Sequence, residues 1–159
     1  MVAANADDVE LTQLFTRVGR VQFILLSLVL TGFIFFGKPF IGMWAGVNYY
    51  ESFPVAVLLM FASFVPLIQN VGIEIQQAKN MHQFRSWVYL TIAVGNIFLS
   101  IPLAKVFGAV GAAFGTAITV IIGNVLIINW YYHKKVGINI KYFWQEILKF
   151  ILAWVSIII

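Results

Sequence analysis

Residues 86–132 read SWVYLTIAVGNIFLSIPLAKVFGAVGAAFGTAITVIIGNVLIINWYY, with Lys105 as the one charged side chain. The uncharged runs on either side of it, Ser86–Leu103 and Val106–Tyr132, are long enough to cross a hydrocarbon core, which needs about 20 residues. Close to the join of the two runs, Gly108 frees the backbone for a sharp reversal. The stretch therefore predicts two antiparallel membrane helices joined by a tight turn, and helices joined this tightly must pack on each other.

The second helix of this pair carries a face of small residues. They recur every four positions: Gly111, Gly115, Thr119 and Gly123. In lipid, helices associate through close approach of their backbones, which small residues at this spacing permit. We expect this face to be a helix-packing surface, and the alternative is a glycine hinge that lets the helix bend.

The composition assigns the chain to the membrane. Of its 159 residues, 62% are hydrophobic and only 10% are charged. A soluble domain of this size would then have a mostly apolar surface, which soluble proteins avoid. The net charge of +4 is too small to indicate a nucleic-acid partner, and the absence of cysteine excludes thiol chemistry. We predict an all-α polytopic membrane helical bundle with the lipid bilayer as a partner.

The apolar runs predict about five transmembrane helices. They show no alternation of apolar and polar residues, which argues against a membrane β-barrel. The last run stops without polar flanking residues, so we expect the chain to be a fragment of a longer membrane protein. The predicted spans are 18–40, 53–77, 86–104, 107–132 and 143–159.

The orientation follows from the basic residues. Lys38 and Lys105 lie at one set of predicted helix ends, and eight basic residues lie at the other set. Because basic residues accumulate on the cytoplasmic side, the larger group and the N-terminus are predicted to be cytoplasmic. The larger group consists of Arg17, Arg20, Lys79, Arg85, Lys134, Lys135, Lys141 and Lys149.

Side chains suited to catalysis are scarce. The two histidines, His82 and His133, lie in predicted cytoplasmic loops and outside any cluster with metal-ligand spacing. The sequence also lacks a glycine-rich phosphate-binding motif. We therefore predict no catalytic residue, no metal site and no cofactor, and we do not expect an enzyme.

Asn70, Glu74 and Gln77 form the polar group with the clearest functional potential. Their spacing places them on one helical face in the cytoplasmic half of the second predicted span. Polar residues inside a membrane usually face a bundle interior or a wet cavity, where Glu74 could meet a cation or the hydroxyl groups of a ligand. The other interpretation, given equal weight, is that these residues are hydrated at the helix end.

Arg17 and Arg20 precede the first predicted span. Their simplest role is to anchor a helix end among the lipid headgroups. At the mouth of a cavity they could instead attract an anionic, lipid-linked substrate.

Five stretches of the chain follow one another in a characteristic order: Leu14–Phe23 (LFTRVGRVQF), Gly32–Gly46 (GFIFFGKPFIGMWAG), Gln76–Arg85 (QQAKNMHQFR), Phe107–Gly123 (FGAVGAAFGTAITVIIG) and Tyr131–Lys135. Together they resemble the C-terminal part of bacterial polysaccharide flippases, the translocases of O-antigen and capsule repeat units. This family belongs to the superfamily of the MATE drug exporters and the lipid II flippase. The resemblance covers most of the chain, to about Tyr142.

The resemblance implies a transporter of two helical lobes around a central cavity, in the bacterial inner membrane. The implied cargo is an undecaprenyl-pyrophosphate-linked oligosaccharide. The chain would then be a partial second lobe of a MATE-like fold, with the missing N-terminal lobe as its partner. The alternatives are a cation-coupled drug antiporter of the same fold and a non-catalytic membrane scaffold. A membrane glycosyl- or acyltransferase would require a histidine or an acidic pair at a membrane face, which we do not find.

Overall fold

A computed structural model describes residues 7–158, except for the side chains of residues 82 and 156–158. Residues 1–6 and 159, the latter being the end of the predicted span 143–159, lie outside the described part. All regular secondary structure within it is helical, which confirms the predicted all-α class. The helices are α1 (Asp8–Trp44), α2 (Ser52–Ile68), α3 (Val71–Ala78), α4 (82–107), α5 (109–136) and α6 (Ile140–Ile158).

The hairpin of α4 and α5 is present. Gly108, at φ +61° and ψ −143°, breaks one continuous run of helical hydrogen bonding, and such a φ favours glycine because it has no Cβ. Beyond the break the chain runs back along α4. The Thr116 hydroxyl donates to Asn96 Oδ1 at 3.2 Å, and the Ser100 hydroxyl donates to the carbonyl oxygen of Ala112 at 3.2 Å.

The predicted small face of α5 lies against α4. A Cβ built on Gly115 would be 2.5 Å from Ser100 Oγ and 2.7 Å from its Cα. A Cβ on Gly111 would meet the Leu103 carbonyl, and one on Gly123 would meet Ile92. Thr119, the fourth member, is buried in the same contact, and its Cγ2 would be 3.8 Å from a Cβ on Gly95.

The second predicted span, 53–77, is interrupted. Helix α2 ends at Ile68 and α3 begins at Val71, with Gln69 between them at φ −104° and ψ 14°. Pro66 lies inside α2, which continues past it to Ile68. The proline leaves the carbonyl of residue 62 without its helical N–H partner, and the break falls three residues beyond the proline. The break separates the apolar half of this span from its polar end.

The first and last helices run side by side in the same direction. Phe15 and Phe143 have ring centroids 4.7 Å apart near the start of both helices, and Trp154 Nε1 donates to Thr31 Oγ1 at 2.8 Å further along. Helix α2 runs antiparallel to α1, with Phe33 near Phe53 at 5.7 Å between centroids. Helix α1 has 37 residues, a length of about 55 Å, which exceeds a hydrocarbon core.

Three helical stretches of the described chain are long and apolar enough to cross a membrane: Asp8–Trp44, Ser52–Ala78 and Gln83–Val136. The predicted count of about five spans is not confirmed. The third stretch contains the reversal at Gly108, and α6 carries Lys141, Glu146 and Lys149 within its 19 residues. The described chain is thus helical, and three of its stretches could cross a membrane by length and composition.

Replacing Gly115 by alanine tests the hairpin contact. We expect Gly115→Ala to lower the free energy of unfolding by about 1–3 kcal/mol, the usual cost of inserting an atom into a packed contact. The measurement is unfolding of the purified full-length protein in detergent, followed by intrinsic fluorescence.

Gly32→Ala is the matched control, because a Cβ at Gly32 in α1 has no neighbour within 4 Å. It should be neutral or stabilising, since alanine favours a helix by up to about 1 kcal/mol over glycine. Equal effects of the two substitutions would show that α4 and α5 do not pack through this face.

Candidate functional site

The predicted polar face is exposed on the outside of the bundle. Asn70 lies at the N-terminus of α3, and Glu74 and Gln77 follow on the same outward side. None of these side chains forms a hydrogen bond or ion pair with another described residue. The structure thus brings the three together on one face, and leaves that face uncovered by this chain.

The predicted arginines of α1 have different environments. Arg17 is exposed. Arg20 forms an ion pair with Glu146 of α6, and Glu146 also accepts a hydrogen bond from Lys149 Nζ at 2.5 Å. Arg20 therefore connects α1 to α6, and the carboxylate of Glu146 compensates its charge. The charge of Arg17 has no such partner among the described residues.

The opposite face of α3 builds a buried polar cluster. Gln76 is 0% exposed and lies beside Arg85, which is 6% exposed in the first turn of α4. Tyr132, 0% exposed on α5, completes the group. We call Gln76, Arg85 and Tyr132 the Arg85 cluster; it joins three helices at the end of the bundle opposite to Gly108.

Hydrogen bonds hold the guanidinium of Arg85 in place. Its Nη1 donates to the Tyr132 hydroxyl at 2.6 Å and, at the longer distance of 3.4 Å, to Gln76 Oε1. Its Nη2 donates to the Tyr89 hydroxyl at 2.8 Å, and the guanidinium carbon lies 5.1 Å from the centroid of that ring. Tyr89 links onward to Asn124 Oδ1 at 3.5 Å.

Gly72 makes room for this cluster. A Cβ on Gly72 would collide with the hydroxyl and the ring of Tyr132, so α3 can approach α5 here only with a glycine at this position. Helix α5 is π-helical over Ile122–Ile128 and Tyr132–Val136, and Asn124 and Tyr132 lie within these segments. Single π-helical turns are frequent at functional sites.

A second buried polar contact lies one turn away. Gln69 is 2% exposed, and its Nε2 donates to Asn129 Oδ1 at 2.8 Å. This contact connects the break between α2 and α3 to α5. Together with the Arg85 cluster it fixes α3 against the hairpin through polar groups in addition to apolar packing.

The positive charge of Arg85 has no acidic partner. No ion pair joins it to any carboxylate among the described residues, and its Nε is buried without a hydrogen-bond acceptor. The Nε2 of Gln76 is also buried without an acceptor. Removing a charge from water is costly unless it is paired and hydrogen-bonded, so this cluster retains unsatisfied donors.

An open groove of about 510 Å³ leads to this arginine. Its lining consists of Ile73, Gln77, Asn80, Arg85, Ser86 and Tyr89. Of the predicted polar residues, Gln77 borders the groove, whereas Asn70 and Glu74 are absent from its lining. The groove therefore presents one buried charge and several hydrogen-bonding side chains to whatever enters from outside.

In the predictions from sequence, Arg85 is one of the cytoplasmic basic residues and Gln76 belongs to the predicted span 53–77, and their association is not predicted. One signal was available: Gln69, Gly72 and Gln76 share a helical face at i, i+3 and i+7, just as Asn70, Glu74 and Gln77 do at i, i+4 and i+7. A glycine between two glutamines on one face is consistent with close packing. No local pattern distinguishes which of the two faces is buried.

No protein-family model, no curated protein and no solved structure matches this chain. The function has to be argued from the residues themselves and from the resemblance described above.

The Arg85 cluster generates a prediction about stability. Tyr132→Phe removes the acceptor of a buried charged donor, and we expect it to lower the free energy of unfolding by about 1–3 kcal/mol. The control is Tyr131→Phe, because Tyr131 is also buried, stacks on Phe84 at 4.0 Å between centroids, and its hydroxyl forms no hydrogen bond among the described residues. Detergent unfolding of both variants checks this, and losses of equal size would contradict the assigned hydrogen bond.

Proposed function

We propose that this chain is part of a flippase that moves undecaprenyl-pyrophosphate-linked oligosaccharide repeat units across the bacterial cytoplasmic membrane. In this proposal the N-terminus of the chain is cytoplasmic. The missing N-terminal lobe of the same protein faces the chain. Transport then occurs by rigid-body rocking of the two lobes around a polar cavity between them.

The exposed polar face of Asn70, Glu74 and Gln77 is the observation that carries the proposal. Much of the rest of the exposed bundle is apolar, with side chains such as Leu28, Phe36 and Phe98 more than 70% exposed. A polar face at the end of an otherwise apolar span is unfavourable against lipid and suits a wet cavity or a partner lobe. The resemblance to polysaccharide flippases supplies the identity of the cargo.

The three side chains suit a sugar better than an ion. Asn70 and Gln77 carry amides, which both donate and accept hydrogen bonds, and Glu74 accepts them. Sugar hydroxyl groups need this mixture of donors and acceptors. A coupling cation in the alternative antiporter would be expected to use a carboxylate deep in the span, whereas Glu74 lies on the exposed surface of the short helix α3.

Deletion of the reading frame that encodes this chain tests the proposal. We expect loss of surface polysaccharide and accumulation of the lipid-linked repeat unit in the cytoplasmic leaflet, both reversed by the full-length wild-type protein. Quantification of surface polysaccharide and of extracted lipid-linked oligosaccharide provides the measurement. Unchanged amounts of both in the deletion strain would exclude the flippase.

Substitutions on the polar face test the role of its residues. We expect Glu74→Gln and Asn70→Leu to reduce surface polysaccharide roughly tenfold at equal protein level, the effect of losing a hydrogen bond of about 1.4 kcal/mol. Glu51→Gln is the control, since Glu51 is an exposed carboxylate at the opposite end of α2. Wild-type amounts of polysaccharide in both polar-face variants would place these residues outside the transport path.

A further inference from the structure

The groove at Arg85 shares Gln77 with the exposed polar face but lies apart from Asn70 and Glu74, and the proposed transport assigns no role to its arginine. We propose that this groove is a binding site for a phosphate group, with Arg85 as the residue that pairs with it. The ligand class is a phosphate ester such as a phospholipid headgroup, and free phosphate or pyrophosphate shares the same chemistry. This inference does not depend on the identity of the transported cargo.

The uncompensated charge of Arg85 is the first argument. A guanidinium that is 6% exposed has lost most of its hydration, and it has no carboxylate partner among the described residues. The neighbouring hydroxyls of Tyr89 and Tyr132 accept hydrogen bonds from it but carry no charge to offset its own. A bound anion supplies the missing counter-charge.

The donors along the groove are the second argument. Arg85, whose Nε has no hydrogen-bond acceptor, lines the groove, whereas the unpaired Nε2 of Gln76 lies behind it. The Ser86 hydroxyl and the amides of Gln77 and Asn80 add further donors along the groove. Arginine binds phosphate preferentially because its planar fork of N–H groups matches two oxygens at once.

The position of the groove is the third argument. It lies between the apolar stretches Ser52–Ala78 and Gln83–Val136, where the first ends and the second begins. In a bilayer crossed by these two stretches, that location is the level of the lipid headgroups. Arg85 also belongs to the first turn of α4, where the positive end of the helix dipole adds to the attraction for an anion.

The test uses titrations of the full-length protein in neutral detergent, followed by tryptophan fluorescence and thermal unfolding. The probes are phosphatidylglycerol in mixed micelles, phosphatidylcholine as the neutral-lipid comparison, and inorganic phosphate and pyrophosphate. We expect saturable binding of at least one phosphate-bearing probe. Arg85→Gln should weaken that binding roughly tenfold or more, as expected for loss of a charge-assisted hydrogen bond.

Lys105→Gln is the control, because it removes a positive charge from an exposed position at the opposite end of α4. It should leave binding within about twofold of the wild-type value. If Arg85→Gln fails to fold, Ser86→Phe replaces it: Ser86 is exposed and borders the groove, so its enlargement blocks entry and leaves the hydrogen bonds of Arg85 intact.

The outcomes separate the possible sources of the phosphate. Binding of phosphatidylglycerol that is lost in Arg85→Gln or Ser86→Phe and kept in Lys105→Gln supports a headgroup site. The same pattern with inorganic phosphate or pyrophosphate supports a site for a free anion. No saturable binding by the wild type, unchanged binding in Arg85→Gln, or equal weakening in Lys105→Gln overturns the proposal.

Discussion

The close approach of α4 and α5 is the contact on which much of the remaining structure depends. Lipid offers no hydrophobic driving force between helices, so two apolar helices gain by packing only if their backbones come near enough for many weak contacts. Gly111, Gly115 and Gly123 provide that approach because a side chain at any of them would overlap α4. The hydroxyls of Ser100 and Thr116 then bond across the contact. The hairpin is stabilised by the close packing that its small side chains permit and by a few hydrogen bonds between the two helices.

The hairpin in turn presents polar groups to α3. The buried side of α3 contacts three of these groups: Arg85 of α4, and Asn129 and Tyr132 of α5. Gly72 of α3 leaves the space that the Tyr132 ring occupies. Water is excluded from this contact, so each polar group there needs a partner within the protein. Gln69 and Gln76 meet this need in part. The unpaired donor of Gln76 stays buried between the helices, whereas Arg85 also borders the groove.

Helix α3 thereby has two polar faces with different surroundings. One face, with Gln76, joins the hairpin and is buried, whereas the other, with Asn70, Glu74 and Gln77, remains open. A helix of eight residues that is polar on both sides has little affinity for lipid. It is suited to lie between this bundle and a wet or protein-filled space. The break at Gln69 allows its direction to differ from that of α2, whose exposed surface is largely apolar.

The amino-acid sequence by itself determined the helical class, the apolar stretches long enough to cross a membrane, the turn near Gly108 and the spacing of the small residues on α5. These properties depend on apolar run length and on helical periodicity, which are local along the chain. Only the tertiary structure decided which face of α3 is buried, because both faces have polar residues at helical spacing. It also decided that Arg85 meets Tyr132, 47 positions away, since that contact requires the packing of three helices.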